Sequence, residues 1–255
     1  RESAPVLFSL FCVRVLKFIS DVRVLYFGWR RLGEWEFGWM QDKVLISGFE
    51  PFDGDTVNPA REVLSLLEGR VLNGHRVVTV EIPTVRFLAT KRLCAAVARE
   101  DPAMVIALGQ AGGRTEINPE RVAINIDDFR IPDNAGNQPV DAPVVEGAPA
   151  AYWSTLPIKC MVKAMREAEI PASVSNTAGT FVCNHSFYGL MHFLSGEGNV
   201  RRGGFIHIPY LTEQADRLEG HFGLPLQTIA LGIEVAVLAA LAVREDIREG
   251  GGKLH

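Results

Sequence analysis

The stretch KVLISGFEPFDGDTVNPAREVLSLLEG (43–69) places a strand directly before a helix, and this order decides the fold class. Its first seven residues are apolar nearly throughout, which is typical of a strand that is covered on both faces. Asn58 is suited to a helix N-cap, Pro59 to the first helical position, and Gly69 to the helix end. The stretch therefore predicts one strand followed by one helix.

The same alternation continues along the chain. Further strands are predicted at RVVTVEI (76–82), AMVIALG (103–109), RVAINI (121–126), ASVSN (172–176) and GGFIHIP (203–209). Further helices are predicted within residues 83–101, 156–171 and 226–249, and from about Cys183 onward. Strands that alternate with helices indicate an α/β protein whose parallel-rich sheet is covered on both sides. No linker divides residues 40–255, so we expect one domain there.

Composition excludes several classes of function. The chain is 47% hydrophobic and 22% charged, as is ordinary for a globular protein, and its net charge of −4 argues against nucleic acid as a partner. The apolar run VLFSLFCV (6–13) is too short and too soon interrupted by Arg14 and Lys17 to cross a membrane. The four cysteines form no C-x-x-C pair, so neither a zinc ribbon nor a disulfide framework is predicted. Free thiols favour a reducing cytoplasm.

Residues 1–39 differ from the rest of the sequence. Three of the four tryptophans lie there, and neither the helical nor the strand period is sustained. Met40, the first methionine, is followed at once by the predicted strand. We therefore expect the native protein to start at Met40 and residues 1–39 to be an extension outside the fold. A targeting segment is the alternative.

Cys183 lies where a turn of small residues, SNTAGT (175–180), leads into an amphipathic run. Apolar residues follow it at helical spacing, namely Phe187, Leu190, Met191 and Leu194. Because free cysteine is often buried, a core cysteine is one interpretation. A nucleophile is the other, since a helix N-terminus near a protonated histidine can lower a thiol pKa to roughly 3.5–7.5. Cys94 and Cys160 lie inside predicted helices and are interpreted as structural.

A thiol nucleophile needs a base and a group that orients the base. His207, at the end of the apolar strand 203–209, is a candidate base, although such a histidine is often a hydrogen-bonded core residue. His185 and His192 point away from the apolar side of the Cys183 helix and are interpreted as solvated. Composition leaves the orienting carboxylate open among Glu50, Glu81, Glu116, Glu120, Asp127 and Asp128.

A glycine-rich loop, GQAGGRTEINP (109–119), invites comparison with phosphate-binding loops. It lacks both the G-K-[S/T] ending of a P-loop and the spacing of G-x-G-x-x-G. The glycines are better interpreted as allowing the backbone to approach a ligand closely.

Four motifs carry a resemblance to a known family: SGFEPFDGDTVNP (47–59), GQAGGRTEINPERVAIN (109–125) with RIPDNAGNQPV (130–140), SNTAGTFVCNHSFYGLMH (175–192) and GGFIHIPY (203–210). Residues 43–255 resemble the pyroglutamyl-peptidase I family of cysteine peptidases, which remove an N-terminal pyroglutamate from peptides. The resemblance implies a single-domain α/β/α sandwich with a mixed, largely parallel central sheet. It also implies an enzyme that often forms a homotetramer and that needs no metal, nucleotide or other cofactor.

The resemblance assigns site residues one by one. It implies that Cys183 is the nucleophile, His207 the base and Glu120 the third catalytic residue. Positions matching the wall of the pyroglutamate pocket are Phe49, Phe52, Thr84, Ile131, Phe181 and Val182. Gln110 matches a position whose main chain faces the lactam ring, and Arg130 matches an arginine at the site edge, near the developing oxyanion. The chain departs from the common F-D-P-F-G-G pattern at Glu50 and at Asp53, which replaces a glycine.

Two alternatives belong to other classes of protein. One is a non-catalytic binder of lactam-capped peptides in which Cys183 is inert. The other is a nucleoside phosphorylase-like enzyme, which the α/β/α architecture alone suggests and which fold analogy supports poorly. The expectation that follows is a peptidase acting on pyroglutamyl-capped peptides, with neither nucleic acid nor membrane as a partner.

Overall fold

The computed structural model describes residues 42–198 and 201–252. The expectations for residues 1–39 and for a start at Met40 lie outside the described residues. The strands are β1 (Lys43–Phe49), β2 (Val71–Leu72), β3 (His75–Ile82), β4 (Met104–Gln110), β5 (Asn118–Pro119), β6 (Val122–Ile124), β7 (Ala151–Trp153), β8 (Arg202–Ile208), β9 (Tyr210–Leu211) and β10 (Gly223–Leu224). The helices are α1 (Pro59–Leu67), α2 (Leu88–Glu100), α3 (Ile158–Glu167), α4 (Val182–Gly196), α5 (Thr212–Ala215) and α6 (Leu226–Ala242).

Six strands form the central sheet in the order β2-β3-β1-β4-β8-β5. The inner pairs β3·β1, β1·β4 and β4·β8 are parallel, and the two edge strands, β2 and β5, pair antiparallel. The predicted mixed, largely parallel sheet is confirmed. Two small two-stranded sheets, β6·β7 and β9·β10, lie outside it.

Helices cover both faces of this sheet. Successive side chains of a strand point to opposite sides, so the apolar residues of one strand need a covering layer on each face. Val44 and Ile46 of β1 pack into a core formed with α1, α3 and α6. Leu45 and Phe49 of the same strand pack on the other side with α2 and α4. The predicted α/β/α sandwich is therefore confirmed for the described residues.

The strand-helix unit that decided the fold forms as predicted. Asn58 is the N-cap of α1, and its Oδ1 accepts a hydrogen bond of 3.0 Å from the Ala60 N–H. Pro59 occupies the first helical position, where its missing N–H costs nothing. The unit thus carries the chain from Phe49, at the end of β1, through a short loop into a firmly capped helix.

Two predicted strands are not strands of the central sheet. Within residues 121–126 only β6 forms, and it pairs with β7. Residues 172–176 make only isolated bridges, such as Glu120 with Ser175. The neighbouring strand β5 is two residues long and includes Pro119, which has no N–H to extend a hydrogen-bonded ladder.

The last predicted helix, 226–249, was too long, since α6 ends at Ala242. Val243 has extended backbone, and the chain then turns back over the start of α3. There the Asp246 carboxylate accepts hydrogen bonds from the Lys159 and Cys160 N–H groups, 3.0 and 2.9 Å long. Because Pro157 gives α3 no side-chain cap, Asp246 satisfies N–H groups that the helix start leaves open.

Candidate active site

A cleft of about 710 Å³ opens where the parallel strands end. Phe49 ends β1, Gln110 ends β4, and Cys183 lies in the first turn of α4; all three line the cleft. This is the edge at which open α/β sheets form their sites, beyond the carboxyl ends of the strands. The fold therefore brings residues from three distant segments to one place.

The Cys183 thiol lies over Gly109 of β4. A Cβ built on Gly109 would stand 3.0 Å from Cys183 Sγ and 2.7 Å from Phe205 Cζ. Gly109 is the register partner of His207 on the parallel neighbour β8, so both residues direct their side-chain positions to the same face. The Phe205 and His207 rings lie there with centroids 4.9 Å apart. The missing side chain of Gly109 thus makes room for the sulfur beside the imidazole.

His207 is held by Glu120. The Nδ1–H of His207 donates to Glu120 Oε1 across 2.7 Å, because a carboxylate only accepts hydrogen bonds. Glu120 is fully buried and His207 is 4% exposed. Burial lowers the pKa of His207 below its usual 6.5, although the Glu120 carboxylate acts in the opposite direction. A neutral imidazole with Nδ1 protonated leaves Nε2 able to accept a proton.

The Cys183 thiol is not a ready-made thiolate. Burial raises the pKa of Cys183 to about 12, the Glu120 carboxylate adds to the increase, and the Arg114 guanidinium and the backbone N–H of Cys183 oppose it. The helix start and a histidine were expected to lower this pKa, but desolvation raises it, although the thiol is only half-buried and lines the cleft. The resting pair is thus a neutral thiol beside a neutral imidazole.

Arg114 belongs to this buried group and was not singled out from the sequence. Its Nη1 donates to Glu120 Oε1 across 2.8 Å and to Asn118 Oδ1 across 3.2 Å. Its Nη2 donates to the Thr177 carbonyl across 3.1 Å. The feature of the sequence that could have pointed to Arg114 is its place in the same motif as Glu120, six residues earlier.

Seven of the eight predicted substrate-binding residues line the same cleft: Phe49, Phe52, Thr84, Gln110, Arg130, Ile131 and Phe181. The eighth, Val182, is fully buried in the core behind it. Other cleft residues that the sequence did not single out include Asp55, Asn58, Tyr210 and His221. The sequence offers little indication that these residues belong to the site, because only folding brings their segments to this edge of the sheet.

Aromatic rings form one wall of the cleft. The Phe181 ring lies 5.1 Å from the ring of Phe52 and 4.6 Å from that of Phe129, measured between centroids. Glu50 ties the adjoining loops together, since its Oε1 accepts from the Thr84 N–H and from Asn134 Nδ2. This wall is therefore apolar, flat-sided and fixed by hydrogen bonds behind it.

The loop with the substituted glycine adopts a left-handed turn. Asp53 has a φ of 55° and Gly54 a φ of 78°. Aspartate tolerates this conformation better than most residues with a side chain. The turn therefore forms with Asp53 in place, and its carboxylate stands exposed at the cleft rim.

The interpretation of His185 as a solvated side chain was wrong. His185 is 1% exposed, and its Nδ1 lies 2.8 Å from Asp127 Oδ2. Its Nε2 accepts from the Phe87 N–H across 2.9 Å, and Arg86 donates to the same Asp127 oxygen. Asp127, a candidate for orienting the base, thus binds a different histidine. The helix α4 is buried on more sides than its apolar spacing indicated.

His192 also has a protein partner. Its Nδ1 lies 2.9 Å from the hydroxyl oxygen of Tyr152, and its ring is half-buried. The other candidate carboxylate in the glycine-rich loop, Glu116, accepts from the Ser173 hydroxyl across 2.5 Å. Of the six candidates, Glu120 is the one whose hydrogen bond to His207 the structure shows.

The described residues show neither a metal site nor a membrane-spanning helix. In residues 42–198 and 201–252, no three histidine, cysteine, aspartate or glutamate side chains converge as a metal site. None of the helices described there is long and apolar enough to cross a membrane. A second cavity, of about 890 Å³, lies near the opposite ends of the strands, between Asp101 and Arg202. It contains none of the site residues above.

Comparison with known proteins agrees with this geometry. The sequence model of the family described as pyroglutamyl peptidase matches residues 42–243. The chain is 55% identical to the pyrrolidone-carboxylate peptidase of Escherichia fergusonii and 53% identical to that of Pectobacterium carotovorum, each over 212 residues. Each match covers 83% of this chain and 99% of the relative.

Solved structures show the same likeness. The crystal structure of pyroglutamyl peptidase I from Bacillus amyloliquefaciens is 47% identical, with a TM-score of 0.79, and covers 81% of this chain and 100% of its own. The pyrrolidone carboxyl peptidase from Thermococcus litoralis is 37% identical, with a TM-score of 0.79, covering 82% of this chain and 99% of its own.

Fold, site and relatives together define a hydrolase of the cysteine-peptidase class. Within that class, the chain belongs to the pyroglutamyl peptidase family.

Proposed function

We propose that this protein removes an N-terminal pyroglutamyl residue from peptides, with Cys183 as nucleophile, His207 as proton carrier and Glu120 as the residue that orients His207. The observation that carries the proposal is the 2.7 Å hydrogen bond between His207 and Glu120 behind the cleft that Cys183 lines. The family's name and the names of the relatives give the substrate class.

The cleft suits a pyroglutamyl end. This group is a neutral, flat lactam without an ammonium group, so its pocket needs apolar faces and a few fixed polar partners. Phe49, Phe52 and Phe181 supply aromatic faces, and Ile131 adds an aliphatic one. Backbone groups near Gln110 are our candidates for the lactam N–H and C=O. The wall needs no carboxylate to bind an amine, because the substrate presents none there.

The reaction proceeds in two halves. The Cys183 sulfur attacks the pyroglutamyl carbonyl carbon while His207 Nε2 takes the thiol proton, and a tetrahedral oxyanion forms. The C–N bond then breaks, His207 gives its proton to the leaving amine, and a thioester remains. Water adds to the thioester with His207 as base, the C–S bond breaks, and free pyroglutamate and the thiol are formed.

We propose two groups as stabilisers of the oxyanion. The first turn of α4 presents N–H groups that an α-helix leaves without intrahelical partners, and Cys183 lies in that turn. The Arg130 guanidinium lines the same cleft and has no hydrogen-bond or ion-pair partner within residues 42–198 and 201–252. It is therefore available to a substrate oxygen.

The alternatives fit less well. Membership of a peptidase family disfavours a nucleoside phosphorylase-like enzyme. A non-catalytic binder has no need of a carboxylate-held imidazole, yet Glu120 holds His207 across 2.7 Å, and the Cys183 sulfur lies against Gly109, the register partner of His207. We further propose, from the family resemblance, that the enzyme is a homotetramer of the cytoplasm; light scattering of the purified protein tests the tetramer.

One assay tests the proposed activity. A pyroglutamyl amide of a fluorescent amine should be cleaved by the protein, and Cys183→Ala should lower the rate by at least about 1000-fold, the scale on which nucleophile deletions act. Cys94→Ser is the matched control, because Cys94 is a half-buried thiol on α2 whose pKa is also raised to about 12. Full activity of Cys183→Ala, or equal loss in Cys94→Ser, contradicts the assignment.

A further inference from the structure

We propose that Arg114 is a positioning residue: it fixes Glu120 against His207 and balances the buried carboxylate charge, so that His207 stays neutral and able to accept the Cys183 proton. This inference rests on the proposed function. It adds a fourth member to the catalytic group and assigns it a task that its contacts define.

Arg114 and His207 converge on one carboxylate oxygen. Arg114 Nη1 and His207 Nδ1 both donate to one oxygen, Glu120 Oε1, at 2.8 and 2.7 Å. The other carboxylate oxygen, Oε2, is buried and has no hydrogen-bond partner among the described residues. The orientation of Glu120 therefore depends on these two donors, and a change at Arg114 is transmitted directly to the imidazole.

Arg114 is itself fixed by polar groups on both sides. Its Nη1 also donates to Asn118 Oδ1, and Asn118 in turn donates to the Ser173 carbonyl and hydroxyl at 3.0 and 2.9 Å. Its Nη2 donates to the Thr177 carbonyl. A guanidinium presents its N–H groups in a rigid plane, so three acceptors at these places define the position of its charge.

Arg114 also balances the charge of Glu120. Glu120 is fully buried, and an uncompensated buried carboxylate is costly. Without a permanent cation beside it, Glu120 would draw a proton onto His207 and hold it there as imidazolium. Arg114 supplies that cation across 2.8 Å, and its charge acts to lower the pKa of both His207 and Cys183. Arg114 thus frees the imidazole to serve as a base.

Other titratable groups surround the cleft but do not replace Arg114. They are Cys183 of α4, Tyr210 of β9, Glu116 of the glycine-rich loop, and Asp53, Asp55, Asp128, Arg130 and His221 of the lining. The three aspartates are exposed, so water screens them. Glu116 is held by the Ser173 hydroxyl. Among the described residues, Arg114 is the arginine or lysine bonded to Glu120.

The test compares Arg114→Met, Arg114→Lys and Arg121→Met. Arg121 is the matched control, because its guanidinium lies one residue from Glu120 in sequence but donates to Asn176 and to the Gly251 carbonyl instead. kcat and KM for a pyroglutamyl amide are measured against pH. In parallel, the titration midpoint of the His207 imidazole is followed by NMR, which requires no substrate.

In Arg114→Met we expect the acid limb of kcat/KM and the NMR midpoint to move up by about one pH unit or more, as is usual for the loss of a charge this close. kcat should fall at least about tenfold, while KM changes by less than about threefold. Arg114→Lys keeps the charge but loses the planar fork, so its acid limb should stay at the wild-type pH while kcat falls. Arg121→Met should leave the acid limb in place.

The inference is overturned if the NMR titration midpoint of His207 does not move in Arg114→Met. It is also overturned if that midpoint moves by the same amount in Arg121→Met. If Arg114→Met does not fold, Arg114→Lys still decides: an acid limb shifted upward by a unit in that variant contradicts the charge argument. Failure of the proposed function looks different, because Cys183→Ala would then retain activity. The NMR midpoint of His207 reports on Arg114 in either case.

Discussion

The protonation state of the Cys183 and His207 pair follows from burial. Each side chain loses water around its charged form, and this loss raises the pKa of the Cys183 thiol and lowers that of the His207 imidazole. Both neutral forms are therefore favoured at rest. Proton transfer must accompany the attack on the substrate, so His207 acts as a general base during the reaction.

A pH profile of the wild-type enzyme tests this arrangement. The neutral, basic form of His207 prevails above its pKa, and burial has moved that pKa below 6.5. On lowering the pH from 8, kcat/KM should fall along an acid limb centred below 6.5, because kcat/KM reports the groups of the free enzyme. An acid limb centred above 6.5 would show that the imidazole is held as imidazolium instead.

At the residue scale, the sequence predicted the Cys183 thiol but not every residue of the group around it. Cys183 stands out because a small-residue turn precedes it, and His207 because it ends an apolar strand. Periodicity left Glu120 one candidate among six, and only the resemblance selected it. Arg114 and His185 could not be placed, since their roles depend on contacts with Glu120 and Asp127 that lie 6 and 58 residues away along the chain.

Strands β4 and β8 form the floor of the site, and their close fit depends on Gly109. Phe205 and Cys183 occupy the space where any side chain at this position would stand. The glycine-rich loop was predicted to allow approach to a ligand; at Gly109 it makes room for the protein's own sulfur. Strand β4 therefore helps to position the Cys183 thiol, because Gly109 has no side chain that would occupy the place of the sulfur.

Gly109→Ala should consequently disturb both activity and stability. The added methyl would stand 2.7 Å from Phe205 Cζ and 3.0 Å from Cys183 Sγ, so these groups must shift. Overpacking of this kind costs about 1–3 kcal/mol, and displacement of a reacting atom by about 1 Å can cost about 100-fold in rate. kcat and the thermal midpoint measure the two effects.

The control for this variant is Gly196→Ala. It adds the same methyl to the C-terminal end of α4, where no described atom outside the helix's own adjacent backbone lies within 4 Å. Its kcat and thermal midpoint should stay close to wild type. If Gly109→Ala matches this control in both measurements, the close approach at Gly109 does not constrain the site.

The accuracy of the predicted elements depended on whether their signals were local. The helix α1 was predicted with its cap because Asn58 and Pro59 carry the signal themselves. The extent of α6 was not, because its end is fixed by Asp246 folding back onto α3. The segment 172–176 has strand-like composition, but the sheet offers it no continuous partner. Tertiary context decided the last two cases, and local signals decided the first.

At the scale of the whole molecule, the site draws on segments spread from Phe49 to His221. The three-layer architecture holds them together, since helices on both faces fix the strands whose ends carry the residues. All of these segments lie within residues 42–243, the part of the chain that the family model matches. The relatives are covered over 99% of their own length by 83% of this chain.

Removal of residues 1–39 should therefore leave the enzyme working. A protein that starts at Met40 retains β1, which leads directly into Phe49 and Phe52 of the cleft, and every other residue of the proposed site. Its kcat/KM on a pyroglutamyl amide should equal that of the full chain, and its thermal midpoint should differ by less than about 2–4 °C, the shift that 1 kcal/mol produces in a protein of this size. Lost activity or a larger drop in the midpoint would instead make residues 1–39 part of the structure that supports the site.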